Sequence, residues 1–355
     1  MPVRGICFVE NGSDAIAMHH NAERLVLTGG ISRHVLKAFA DLLHFFHFLF
    51  RERLRPMSLA SKHLIKPGTK VRLDDLETRC KGPFEGKQQA RTFTAEMSQE
   101  IRDLQYRQFV EGKQSLLIVL QAPDAAGKDG LIRNVLGQMN PQGCRTYPFK
   151  APTQKELGHD FLWRVHHCTP ARGHVSIFNR SHYEDVLIVR VEDLVPKSIW
   201  SERYEIINSF EKNLKASGTT ILKFYLHISK DEQLSRFRKR FENPAKHWKL
   251  NLADYTARAQ WEQYREAYED VFRNCNHADA PWFVIPADNK WYRDASVAGI
   301  VRDTLREMNP QLPPVEVDLD EIRRHYDQEV GKHEVGKHEV GKQEVGKQEV
   351  GKLGH

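Results

Sequence analysis

Residues 116–136, L-L-I-V-L-Q-A-P-D-A-A-G-K-D-G-L-I-R-N-V-L, join an apolar run, a turn of small residues and a lysine at the start of an amphipathic stretch. That is the layout of a phosphate-binding P-loop. Backbone N–H groups line the turn, the helix N-terminus adds positive potential, and the lysine reaches phosphate oxygens. The backbone of Ala125, Ala126, Gly127, Asp129 and Gly130 is therefore expected to cradle phosphate, with Lys128 as the cation. The match to G-x-x-x-x-G-K-[ST] is incomplete: Ala122 replaces the first glycine, and Asp129 stands where the metal-binding hydroxyl belongs. Taken alone, an ordinary βα turn containing Gly-Lys fits as well. Asp124 sharpens the choice. A carboxylate inside a phosphate loop repels substrate unless a divalent cation lies between them, so Asp124 reads as a metal-site residue.

Two further clusters fit the same chemistry. In H-V-S-I-F-N-R-S-H-Y-E-D-V-L, residues 174–187, a strand runs into Asn179-Arg180-Ser181, with Glu184 and Asp185 just beyond. A second strand end of this kind commonly carries a metal-orienting acid; here Asn179 holds that position and the carboxylates come later. Arg180 can neutralise transferring phosphoryl charge, since its planar fork suits phosphate oxygens. The same segment also fits a strand followed by a helix with surface charges. His182 beside it is read as structural, not as a phosphohistidine carrier. The third cluster, residues 232–250, concentrates Arg236, Arg238, Lys239, Arg240, Lys246 and Lys249. A charge run on a helix is usually a solvated face. Its place after a strand suggests a lid that closes over phosphates, with Arg236, Arg240 and Lys246 gripping an anion longer than one nucleotide.

The scaffold for these residues can be read from hydrophobic pattern. Continuous apolar runs suited to buried parallel strands occur at 115–121, 144–149, 174–179, 219–228 and 282–287. Helical stretches are expected at 128–139, 154–167, 198–216, 230–242, 252–274 and 290–308, after one ending at Glu111-Gly112. Such alternation implies an α/β fold, a parallel sheet with helices on both faces and ligands beyond the strands' carboxyl ends.

Composition sets the limits. The net charge is +6, with 53 basic and 47 acidic residues, which favours an anionic partner without excluding a slightly basic soluble enzyme. Five scattered cysteines form no C-x-x-C pair and suit a reducing, cytoplasmic interior. The stretch from Val35 to Phe50 is too short and too interrupted to span a bilayer, although an interfacial helix is an open alternative. No membrane partner is expected. Residues 1–56 join poorly to the rest of the chain and read as an atypical extension or a mis-assigned start, with Met57 an alternative start. Residues 57–326 read as the folded domain, with a lid at about 230–275. Residues 327–355 read as a disordered tail of V-G-K-[HQ]-E repeats, too rich in glycine and charge to bury a core. Nucleic acid is not expected as a partner, on the ground that stacking aromatics do not interleave the basic run.

Taken together, the motifs resemble the polyphosphate kinase 2 family. They are D-A-A-G-K-D-G at 124–130, F-K-x-P-T at 149–153, H-D-F-L-W-R at 159–164, F-N-R-S-H-Y-E-D-V-L at 178–187, N-P-x-K-x-W-K at 243–249, the run 254–270, and A-P-W-F-V-I-P-A-D-N-K-W at 280–291. The resemblance implies a thymidylate-kinase-like P-loop core with a helical lid, and Mg²⁺ as cofactor, with Mn²⁺ an alternative. It implies phosphoryl transfer between inorganic polyphosphate and ADP or AMP, with guanine nucleotides as further acceptors, in a homo-oligomer. By that likeness Asp124, Lys128, Arg180 and Asp185 form the catalytic set, and Asp124, Glu184 and Asp185 the metal set. Lys150, Asn179, Arg236, Arg240, Lys246 and Lys249 join the loop in binding nucleotide and polyphosphate. Many members have Asp where Asn179 stands, and the N-R-S-x-Y-E-D variant looks like the subgroup acting on both AMP and ADP, in which the acid matching Asp185 matters. Two rival functions are an ATP-dependent small-molecule kinase on this fold and a non-catalytic polyanion-binding protein.

Overall fold

In the computed structural model residues 59–330 are described; they belong to the second of two units, which begins at Leu59. The expected extension 1–56, with its apolar stretch Val35 to Phe50, and the repeats beyond 330 lie outside the described residues. Five parallel strands form one sheet in the order β2–β3–β1–β4–β5. They are β1 (Ser115–Gln121), β2 (Cys144–Pro148), β3 (Val175–Asn179), β4 (Thr219–His227) and β5 (Trp282–Pro286).

The helices that matter here are α1 (Lys87–Glu111), α2 (Lys128–Asn134), α3 (Arg203–Ala216), α4 (Lys230–Phe241), α5 (Leu252–Ala259), α6 (Trp261–Asn274) and α7 (Lys290–Met308). They cover both faces of the sheet. The period-2 alternation of β1 divides its side chains between two cores. Leu116, Ile118 and Leu120 pack with Met97 and Ile101 of α1, Leu131 of α2 and Val301 and Leu305 of α7. Leu117 and Val119 pack with Ile207 and Phe210 of α3 and Val271 and Phe272 of α6. All seven residues of β1 are buried, which is why Leu116 to Leu120 are apolar without a break. Each such side chain contributes about 1.5–3 kcal/mol by burial. β2 pairs only with β3 and is half exposed, so Pro148 at its last position costs no ladder hydrogen bond. The outer edge of β5 is covered by an antiparallel bridge from Leu64 to Phe283 and by the Ile65 N–H, which donates to the Trp282 carbonyl at 2.9 Å.

α1 stops where expected, at Gly112, which takes φ 67° as a left-handed cap. Four expected helices are broken. The stretch 154–167 divides into Gln154–Leu157 and Trp163–His166, because Gly158 ends the first piece and the Asp160 carboxylate accepts from the Leu162 N–H at 3.0 Å. The stretch 128–139 tightens into a 3₁₀ turn over Leu136–Gln138, 198–216 breaks at Ser201-Glu202, and 252–274 bends at Gln260. Residues 319–330 are helical, so the first residues of the expected tail, 327–330, continue a helix. Among the described residues no helix is long and apolar enough to cross a membrane.

Candidate functional site

β1 is central, and the chain leaves its carboxyl end towards β2 on one side while β4 leads to β5 on the other. A crevice opens at that switch point, outside the strand ends. The turn after β1 fills it. Ala125 at φ 62° and Gly127 at φ 106° both lie in the left-handed region, the first at a cost of about 1–2 kcal/mol. A Cβ on Gly127 would collide with the Arg293 guanidinium, so only glycine fits.

The loop is stapled from behind through its carbonyls. Buried Arg236 donates from Nη1 to the carbonyls of Ala125 and Ala126 at 3.0 and 2.8 Å. Its Nη2 donates to Ala287 and Asp288 at 2.6 and 3.0 Å. Arg293 adds a bond to the Ala126 carbonyl at 3.1 Å, and the Gln233 amide one to Asp124 O at 3.0 Å. With the carbonyls held this way, the N–H groups of Ala125, Gly127, Lys128, Asp129 and Gly130 have no acceptor among the described residues. Free backbone donors in such a turn can receive an anion. Lys128, half-buried beside the turn, donates from Nζ to the Ala122 carbonyl at 2.9 Å. Burial first, then the neighbouring Arg180 charge, lowers its pKa to about 8.

The end of β3 supplies the opposing wall. Arg180, also left-handed at φ 63°, reaches Asp124 Oδ1 from Nη2 at 2.6 Å and Glu184 Oε2 from Nη1 at 3.3 Å. Glu184 most of all, against the cost of burial and with Asp124, raises the guanidinium's pKa further, so it is a fixed cation. Asn179 donates to Asp129 Oδ1 at 3.0 Å, and Lys249 reaches Asp129 Oδ2 at 3.4 Å. Burial works against the Asp129 charge, but these two donors outweigh it and hold the carboxyl below its usual range.

Asp185 falls elsewhere. Its Oδ1 is paired with Arg203 at 2.9 Å and it is not among the residues lining the cleft. Burial pushes its carboxyl up to about 6, against the pull of Arg203. The expected metal trio is thus divided, and among the described residues no group of three or more His, Cys, Asp or Glu is disposed to hold a metal ion. Asp124 and Glu184 stay together on either side of Arg180. Two carboxylate donors suit a hard dication that takes its remaining ligands from phosphate and water.

Beneath this wall the 3₁₀ turn His182–Val186 rests on a fully buried network. Lys223, in the middle of β4, donates to Glu211 Oε2 at 2.6 Å, Tyr183 Oη at 3.0 Å and the Cys275 carbonyl at 2.7 Å. Tyr183 Oη donates to Glu211 Oε1 at 2.7 Å, and His182 Nε2 lies 3.3 Å from the same oxygen. Burial lowers the His182 pKa, against the pull of Glu211, and the ring lies away from the cleft.

The cleft over the loop has a volume of about 710 Å³. Of the expected lid residues, Lys246 and Lys249 line it, as do Lys150 and Asn179 across from them. Arg240 also lines it but is spent on Asp254 at 2.9 Å. Arg236 lines the cleft too, but it is buried and its guanidinium is spent on backbone carbonyls, so it serves as a strut of the loop. Its helix turns this face inward, where the carbonyls of Ala125, Ala126, Ala287 and Asp288 meet one guanidinium. Exposed Trp248 lines the cleft and Phe241 is 70 % exposed, so stacking aromatics do interleave the basic run and the ground given against nucleic acid does not hold. A second cavity, of about 70 Å³, lies beside the cleft with an aromatic wall that includes Tyr225, Trp261 and Tyr264. Asp124 and Arg180 line both cavities, so two ligands entering from either side would meet there.

Sequence reasoning missed Arg293, Arg133, Lys239 as a cleft residue, and Lys290. A signal existed for Lys290 and Arg293. Both lie in the first turn after β5, at the same sheet end as the P-loop.

The family model described as Polyphosphate kinase 2 matches residues 85–313. The chain is 45% identical over 262 residues to an AMP/ADP-polyphosphate phosphotransferase of Meiothermus ruber, covering 74% of this chain and 98% of that one. It is 40% identical over 258 residues to an ADP-polyphosphate phosphotransferase of Rhodopseudomonas palustris, covering 69% and 89%. The crystal structure of polyphosphate kinase 2 from Arthrobacter aurescens superposes with a TM-score of 0.73 at 37% identity, covering 76% of this chain and 97% of that one.

Proposed function

The chain belongs to the polyphosphate kinase 2 family, and from that premise we propose that it transfers a phosphoryl group between inorganic polyphosphate and ADP, and also AMP, in the cleft over residues 124–130. The observation that carries this reading is a surplus of cations. Lys150, Lys246, Arg133, Lys239 and Lys290 line the cleft with no carboxylate within ion-pair distance among the described residues. One nucleotide needs fewer charges; a chain of phosphates uses them all. The names of the relatives support both acceptors.

In this reading the free N–H groups of the loop and Lys128 bind the donor's terminal phosphates. Arg180, fixed between Asp124 and Glu184 and lining both cavities, stands where donor and acceptor meet. Phosphoryl transfer is mainly positioning and charge stabilisation, so no covalent nucleophile is required. Kinases in general need a divalent metal; Asp124, with Glu184 beside it, would hold it, and it would neutralise phosphate charge there. Mg²⁺ suits these hard donors, with Mn²⁺ the alternative. To Asp185 we assign a positioning role, tying the turn after Arg180 to Arg203. Lys249 and Asp129 latch the lid to the loop. We further propose a cytoplasmic enzyme, supported by unpaired Cys80, Cys144, Cys168 and Cys275, that assembles as a homo-oligomer.

The test is direct. Protein, Mg²⁺, polyphosphate and ADP should give ATP, and AMP should give ADP; GDP in the same assay reads guanine acceptance. ATP consumption with an unrelated small molecule, and none with polyphosphate, would sink the proposal in favour of an ordinary kinase.

Lys128 gives a second expected result. It loses its proton as pH rises through about 8 in the free protein. Its charge is present below that pH and lost above it, so kcat/KM for polyphosphate should fall on the alkaline side with a limb near pH 8. Bound phosphate raises the pKa again, so the limb in kcat should lie higher. A kcat/KM profile flat through that range would contradict the role given to Lys128.

A further inference from the structure

A second large cavity, of about 890 Å³, runs on from the cleft and shares Arg133, Asn134, Lys239 and Lys290 with it. Its floor is one face of α1, including Lys87, Arg91, Thr94, Ser98 and Arg102. Their spacing of four, three, four and four residues keeps them on one stripe. From Lys87 to Arg102 that stripe extends roughly 22 Å at ~1.5 Å per residue.

The charge of this groove is one-sided once existing pairs are removed. Six basic residues line it (Lys87, Arg91, Arg102, Arg133, Lys239 and Lys290) against three acidic ones. All three acids are already engaged. Glu232 is held by Arg236 at 2.9 Å, Asp288 by Arg79 at 3.8 Å and by Thr78 and Ser229, and Asp294 by Arg293 at 2.6 Å. None of the six bases has a carboxylate within ion-pair distance among the described residues; Arg102 bonds only to Gln138. Burial first, then Arg236 and Arg293, lowers the Lys290 pKa, a sign of crowded cations at the junction. The first turn of α7 also faces the groove, and its N-cap is unsatisfied because the Asn289 amide is turned to the Cys80 carbonyl at 2.9 Å.

We propose that this groove is a distal subsite for polyphosphate, carrying the part of a long chain that extends beyond the catalytic cleft, and so makes the enzyme read chain length. The inference rests on the polyphosphate reading of the cleft. The junction residues Arg133, Lys239 and Lys290 pass the chain from one cavity to the other, and Lys87, Arg91 and Arg102 hold it along α1. A chain of a few phosphates fills the cleft alone and never reaches α1. Trp291 is the only aromatic among the described residues lining the groove, as suits a ligand made of charge without rings to stack.

The experiment compares tetrapolyphosphate with long-chain polyphosphate as donors to ADP, in the parent and in the Lys87→Ala/Arg91→Ala double variant. Both side chains are exposed on a helix, and alanine favours helix, so folding should survive. KM for the long chain should rise about tenfold with kcat unchanged, while KM for tetrapolyphosphate stays within about twofold. The salt dependence of the long-chain KM should also flatten, by roughly one to two in the log–log slope. Arg102→Gln provides an independent arm with the same selectivity. Equal losses on both donors, or none on either, would overturn the distal subsite. Failure of the parent to make ATP from either donor would instead overturn the function itself.

Discussion

Arg180→Ala is expected to lower kcat by about 10³–10⁵-fold, the range seen when a transition-state arginine is lost from phosphoryl-transfer enzymes. Two effects add. The variant loses the fork that stands between donor and acceptor, and it leaves Asp124 and Glu184, now 2.6 and 3.3 Å from the guanidinium, without their counter-charge beside a polyanion. Arg180→Lys should recover little, because one ammonium cannot bridge two carboxylates in this planar geometry. The side chain is 36% exposed, so the fold should persist, and circular dichroism can verify it. A kcat within tenfold of the parent would show that Arg180 does not touch the reacting phosphate.

The largest stability effect should come from a residue remote from the substrates. Lys223→Met removes a wholly buried ammonium whose three protons all have acceptors, in Glu211, Tyr183 and Cys275. The buried carboxylate then loses its lysine counter-charge, which costs about 3–5 kcal/mol. Burial pushes the Glu211 pKa up, but Lys223 and His182 outweigh it and hold the carboxyl below its usual range. The double change Lys223→Met/Glu211→Gln should regain much of the loss, since no charge is then stranded. Urea unfolding measures both. A single-variant cost below about 1 kcal/mol would mean that water or rearrangement replaces the lysine.

The range of the forces involved decides which features were legible in the sequence and which were hidden. β1, β3, β4 and β5 were readable to within a residue because a strand buried on both faces is mostly apolar, and that is a local pattern; β2, half exposed, falls outside that rule. The P-loop was readable for the same reason, since turn, glycine and lysine are contiguous. Partnerships across the fold were not. Arg236 sits in a basic helix and looks like its exposed neighbours; only the packing of α4 on the loop turns it inward. Lys223 interrupts an apolar strand, and nothing within β4 announces the glutamate on α3 that neutralises it. Asp185 and Glu184 are adjacent in the chain, yet a 3₁₀ turn sends one to Arg203 and the other to Arg180. The groove along α1 combines residues from four helices, so its charge appears only once the helices are assembled.

Direct transfer from polyphosphate to the nucleotide across Arg180 is the centre of the proposed mechanism. It is tested most directly by a single turnover with radiolabelled polyphosphate and ADP. The label should pass into the γ-phosphate of ATP at the rate of the chemical step, with no labelled protein at any time. A labelled protein that forms and decays fast enough to lie on the path, or label that never reaches ATP, would contradict the mechanism.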